Sequence, residues 1–156
     1  MGALRIAAPA LAAIVLVALA GCSKQEREVV PTSCFGQPAQ LMTALRQAPR
    51  AVVLEDGTRL SRCVSRARTD GDLQSLGISF GRVADALRAR AQTDAGTALQ
   101  LGYLAGAVQA GARGAPGGLA DQLARRLRQL AALGPGADAA AAAALARGMR
   151  AGEAGG

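Results

Sequence analysis

Apolar side chains recur every three or four positions between residues 73 and 87, which is the spacing of one helix face. This stripe consists of Leu73, Leu76, Phe80, Val83 and Leu87. Charged side chains between them fall on the other faces of the helix. We therefore predict an amphipathic helix of about five turns, capped by Asp70 or Asp72, whose apolar face packs into a core.

Residues 95–112 carry no charge, and their apolar side chains surround the helix axis. A helix of this kind is normally buried, so we predict the central helix of a small bundle. Small residues recur every four positions and form a ridge that allows another helix to approach closely: Ala98, Gly102, Gly106 and Ala110. A membrane span is the alternative, although Gln100, Gln109 and four glycines argue against it.

A leucine stripe after the Gly-rich turn 114–118 predicts another helix, and its members are Leu119, Leu123, Leu127, Leu130 and Leu133. Arg125 and Arg128 face away from this stripe, whereas Arg126 projects within it. Arg126 is either an arginine whose stem packs at the edge of the core or a cation for an acidic partner or lipid headgroup. We treat these three arginines as candidate anion contacts.

Two shorter elements are predicted nearer the N-terminus. Leu41, Met42 and Leu45 share one face of a helix that ends before Pro49. Over residues 52–64 two interpretations compete, a short β-hairpin around an Asp-Gly turn and a strand followed by a helix. We prefer the helix, capped by Thr58 or Ser61, because apolar residues from Leu60 onward follow helical spacing.

The first 22 residues resemble the type II signal peptide of bacterial lipoproteins. A short segment with one positive charge precedes an apolar stretch over 6–18, and the lipobox Leu19-Ala20-Gly21-Cys22 follows. The resemblance implies cleavage before Cys22, a diacylglyceryl group on its thiol and often an acyl chain such as palmitate on the new N-terminus. The protein would then be exported and anchored on the extracytoplasmic face of the cell membrane, or of an outer membrane where one exists.

The three cysteines divide between two roles once Cys22 is assigned to lipid. Cys34 and Cys63 remain, and we predict a disulfide between them because exported proteins fold in an oxidising compartment. A redox-active pair is the alternative, but the two cysteines lack the Cys-x-x-Cys spacing.

Composition narrows the chemistry available to this chain of 156 residues. It contains no His, and its one lysine, Lys24, lies in the polar segment after the lipobox. The 18 basic residues exceed the 11 acidic ones but are dispersed, and aromatic residues are only 2%. We therefore expect no catalytic residue, no metal site, no cofactor and no nucleic-acid partner.

These observations predict an all-α fold, a bundle of about four helices with one disulfide. The predicted segments are a signal peptide over 1–21, a lipid-anchored tether over 22–33, a helical domain over 34–134 and a partly disordered Ala/Gly-rich tail over 135–156. We expect a non-enzymatic envelope lipoprotein that binds another envelope protein or itself, or has a structural role. The alternatives are arginine-mediated binding of an anionic envelope polymer or lipid headgroup, and a weak hydrolase that uses paired carboxylates.

Overall fold

A computed structural model describes residues 29–115 and 117–156 and shows a helical bundle. Six α-helices form in this part of the chain, more than the four predicted, after a short 3-10 turn at Thr32–Phe35. They are α1 (Pro38–Leu45), α2 (Leu60–Ser65), α3 (Asp70–Ala91), α4 (Ala95–Arg113), α5 (Gly118–Ala131) and α6 (Ala139–Gly155).

The predicted stripe of α3 is buried along its full length, from Leu73 at 5% exposure to Phe80 and Val83 at 0%. Thr69, rather than Asp70 or Asp72, is the N-cap of this helix. Its hydroxyl accepts a hydrogen bond from the Asp72 N–H, and the Asp72 carboxylate accepts one from the Thr69 N–H. Hydrogen bonding with the Thr69 side chain is the main reason that the pKa of Asp72 lies below its usual value.

Helix α4 is the centre of the bundle, as its uncharged sequence predicts. It contacts each of the other five helices, and its large side chains Leu101, Tyr103 and Leu104 are almost completely buried. Its first turn is capped by Asp94, whose carboxylate accepts a 2.6 Å hydrogen bond from the Thr97 N–H. In the described part of the chain, no helix is long and apolar enough to cross a membrane.

Residues 52–64 adopt the preferred arrangement of an extended segment followed by helix α2. A single antiparallel bridge joins Val53 to Arg59, and no strand forms among the described residues. The predicted caps are wrong, because the N-cap of α2 is Arg59 and its side chain makes no capping hydrogen bond. Helix α2 begins at Leu60, directly after the bridge residue Arg59, so the hairpin does not extend.

The Ala/Gly-rich segment over 135–156 forms helix α6, which extends from Ala139 to Gly155. The preceding loop is attached to Gln92, whose side chain accepts a hydrogen bond from Gly134 N–H and whose carbonyl accepts one from Asp138 N–H. These contacts attach the loop before α6 to the end of α3, and Ala141 and Ala144 of α6 are fully buried. The folded part also begins before residue 34, since Val30 is only 5% exposed.

One buried hydrogen bond connects α4 to the extended segment. The Tyr103 hydroxyl accepts it from the Val52 N–H at 2.9 Å, and both residues have no exposed surface. Buried backbone N–H groups are costly when they lack an acceptor, so this hydroxyl fixes the segment that leads into α2.

Removing that acceptor with Tyr103→Phe is expected to lower the free energy of unfolding by about 1–3 kcal/mol. Urea denaturation followed by circular dichroism measures this loss. Thr43→Val is the control, because it removes a hydroxyl from an exposed position and should change stability by no more than about 0.5 kcal/mol. Equal losses in the two variants would contradict a specific role for the Tyr103 hydroxyl.

Candidate functional site

The small-residue ridge of α4 is covered by α6 of the same chain. Ala98, Gly102 and Gly106 are buried, and Ala110 is half-buried. A Cβ atom added to Gly102 would overlap the carbonyl oxygen of Leu145, and one added to Gly106 would overlap that of Met149. The ridge therefore does allow a close helix contact, but within this chain, and it is not a free surface for a partner.

Helix α6 contributes a matching pair of glycines. An added Cβ on Gly148 would overlap the carbonyl oxygen of Leu99, and one on Gly152 would overlap that of Tyr103. Each of the four glycines thus directs a Cα–H at a carbonyl oxygen of the opposite helix, a geometry in which Cα–H···O contacts form. The two backbones touch directly, which is possible only without side chains at these positions.

Cys34 and Cys63 form a disulfide, with their Cα atoms 5.5 Å apart and both residues fully buried. This bond attaches the N-terminal 3-10 turn to α2. Cys22, the predicted lipidation site, lies outside the described residues, as does the rest of the lipobox.

The three α5 arginines predicted as anion contacts are all exposed, but they do not form one site. Arg125 and Arg128 lie with Arg113 and Asp121 around a small groove of about 160 Å³ beside α4. Arg126 lines a separate groove of about 480 Å³ between α3 and α5. The α5 arginines therefore divide between two sides of the helix.

A different group of arginines converges on one groove, which we call the α2 groove. It has a volume of about 680 Å³ and lies between the turn at residues 56–58, helix α2 and the end of α4. Arg59, Arg62 and Arg66 line it. These residues were not among the predicted anion contacts, although their spacing of three and four positions is visible in the sequence and places them on one side of a helix.

Helix packing sets the floor of the α2 groove. Ala110 and Gly111 of α4 line it, and a Cβ added to Gly111 would overlap the carbonyl oxygen of Ser61 in α2. The two helices can therefore approach closely here, as α4 and α6 do. This contact holds the arginine-bearing helix at a fixed position on the central helix.

Asp56 lies at the rim of the α2 groove, and both of its carboxylate oxygens accept hydrogen bonds. The Thr58 N–H donates to one oxygen at 3.0 Å, and the Ser33 hydroxyl donates to the other at 2.8 Å. These two hydrogen bonds hold the pKa of Asp56 below its usual value, with the Thr58 N–H as the larger cause. Asp56 thus closes a turn and joins it to the N-terminal segment.

Two further carboxylates have structural roles, since Asp72 belongs to the capping box of α3 and Asp94 is the N-cap of α4. Hydrogen bonds with Thr97 lower the pKa of Asp94, and the bond with the Thr97 side chain contributes more than the bond with its N–H. Within residues 29–115 and 117–156, there is no cluster of three or more His, Cys, Asp or Glu side chains that could bind a metal ion.

The fold and these contacts define a disulfide-linked helical bundle with a basic groove. No protein-family model, curated protein or solved structure matches this chain.

Proposed function

We propose that this chain is an exported lipoprotein, anchored through lipid on Cys22 to the extracytoplasmic face of the cell membrane. Its helical bundle acts there as a non-enzymatic structural or interaction module. The observation that carries the proposal is the Cys34–Cys63 disulfide. Disulfides persist in the oxidising compartments to which a lipobox directs a protein, and this bond leaves Cys22 as the remaining cysteine for lipid.

The position of the first buried residue in the described part of the chain supports the same proposal. Val30 already packs in the core, and only seven residues lie between it and Cys22. An extended chain spans at most about 3.5 Å per residue, so Val30 lies no more than about 28 Å from Cys22. A lipidated Cys22 would therefore hold the bundle close to the membrane surface.

The interaction role no longer rests on the α4 ridge, because α6 covers it. A partner protein or a second copy would instead meet the remaining surface. On that surface Ile78 is 52% exposed and Leu119 is 36% exposed, and both line the groove between α3 and α5. These side chains support an interaction role, since large apolar side chains that share a groove favour association.

Cys22→Ala is expected to abolish fatty-acid incorporation entirely. The test expresses the full chain in a bacterium with an alkyne-bearing fatty acid and detects the label after gel electrophoresis. Mass spectrometry of the unsubstituted protein should show an N-terminus at Cys22 carrying acyl chains. Two acyl chains or more give stable anchoring, so this protein should remain in the membrane fraction at high salt.

The matched control is the Cys34→Ser/Cys63→Ser variant, which removes two cysteines but keeps the lipobox. It should incorporate label as the original chain does. Label that persists in Cys22→Ala, or a mature N-terminus at another residue, would contradict the proposal.

A further inference from the structure

We propose that the α2 groove binds the phosphate of an anionic phospholipid headgroup in the membrane that holds the lipid anchor. The inference rests on the proposed function for its orientation, because the anchor brings this side of the bundle to the membrane. It assigns the anion contact to Arg59 and Arg62 instead of the α5 arginines, with Arg66 lining the same groove.

The arrangement of the arginines suits a phosphate. Arg59, Arg62 and Arg66 follow one another at three and four positions and line the same groove. Guanidinium groups bind phosphate oxygens through paired N–H donors, and several on one helix side can surround a single headgroup. The volume of about 680 Å³ lies within the usual range for a small-ligand site.

The charged side chains that line the groove are predominantly basic. Among the described lining residues three are arginines, and Asp56 is the one acidic side chain. Both oxygens of Asp56 already accept hydrogen bonds from Ser33 and Thr58, so the carboxylate is engaged within the protein. Arg59 and Arg62 are exposed and stand open to an incoming anion.

Two contacts place the groove beside the membrane-proximal end of the chain. The Cys34–Cys63 disulfide attaches the N-terminal segment to α2 with Cα atoms 5.5 Å apart, and Arg62 directly precedes Cys63. The 2.8 Å hydrogen bond from Ser33 to Asp56 attaches the same segment to the rim. The eleven residue steps from Cys22 to Ser33 span at most about 38 Å, which keeps the groove within reach of headgroups.

Hydrogen exchange of the membrane-isolated protein tests the proposal. The N-terminal mass is recorded first, and the protein is then reconstituted into neutral phosphatidylcholine vesicles or vesicles with about one-third phosphatidylglycerol. We expect exchange over residues 54–66 to slow at least threefold in the anionic vesicles. The effect should fall in high salt, because exposed charges are screened.

Arg59→Gln/Arg62→Gln is expected to remove this slowing, and Arg125→Gln/Arg128→Gln is the matched control. Both variants lose two positive charges from exposed positions, but only the first alters the groove. Exchange in neutral vesicles verifies that each variant is folded. Should the first variant fail to fold, Arg62→Gln alone replaces it.

Three results would overturn the proposal. The first is equal exchange in both kinds of vesicle, and the second is equal loss of slowing in the two arginine variants. The third is the same slowing when inorganic phosphate is added to neutral vesicles, which would assign a soluble anion instead. An N-terminal mass without acyl groups would refute the anchor separately, and adding the same vesicles to that soluble protein would still test the groove.

Discussion

Gly106→Ala is expected to destabilise the bundle by about 2–3 kcal/mol and to release α6 from α4. Alanine normally favours a helix over glycine by about 1 kcal/mol, so intrinsic propensity alone predicts the opposite sign. The added methyl group would overlap the carbonyl oxygen of Met149, and a backbone oxygen cannot move without shifting its helix. Urea denaturation measures the stability, and hydrogen exchange over residues 139–155 measures the release.

Gly81→Ala provides the matched control for this substitution. Gly81 is also a buried glycine inside a helix, but a Cβ added there would meet nothing within 4 Å. We expect this change to raise stability by about 0.5–1 kcal/mol, since it adds helix propensity without a clash. A similar effect of both substitutions would show that the close α4–α6 contact does not determine stability.

Loss of the disulfide is expected to have the largest single effect. Cys34→Ala/Cys63→Ala should lower the free energy of unfolding by about 3–4 kcal/mol, because the bond closes a loop between residues 29 positions apart. The cross-link restricts the unfolded chain, and its removal restores that freedom. Denaturant titration with and without a thiol reductant gives the value.

The reductant is the internal control in that experiment. It should lower the stability of the original protein to that of the double variant and leave the double variant unchanged. An original protein whose unfolding midpoint does not respond to reductant at equilibrium would argue against the cross-link in the folded state.

Periodicity of large side chains predicted the parts of the fold that pack through such side chains. The stripe of α3 from Leu73 to Leu87 lies in the core, and the uncharged sequence of α4 lies at the centre. Both predictions depend only on which positions carry apolar side chains that are stabilised by burial. The helix ends were less predictable, since capping by Thr69 depends on local geometry that several neighbouring polar residues could provide.

Helix α6 was underestimated because its attachment does not use bulky apolar side chains. Two glycines four positions apart, Gly148 and Gly152, repeat the spacing of Gly102 and Gly106. This shared spacing is visible in the sequence. The tertiary structure, however, determines that these two glycine pairs face each other. The ridge was therefore recognised, whereas the helix that packs on it was not identified.

The candidate site was missed for a related reason. The predicted anion contacts lie on α5, where a long leucine stripe indicates a helix. The six-residue α2 has no such stripe. The spacing of Arg59, Arg62 and Arg66 indicates one helix side only once α2 is accepted over the hairpin. Their common groove also needs the end of α4, which no local pattern predicts.

The direct backbone contact between α4 and α6 has a consequence for conformational entropy. Glycine and alanine lose almost no side-chain freedom when they are buried, whereas long apolar side chains lose up to about 2 kcal/mol each. The interface therefore orders few rotamers as it forms. The corresponding disadvantage is low tolerance of mutation at Gly102, Gly106, Gly148 and Gly152. Any other residue at these positions introduces a Cβ atom, which would overlap a carbonyl oxygen of the opposite helix.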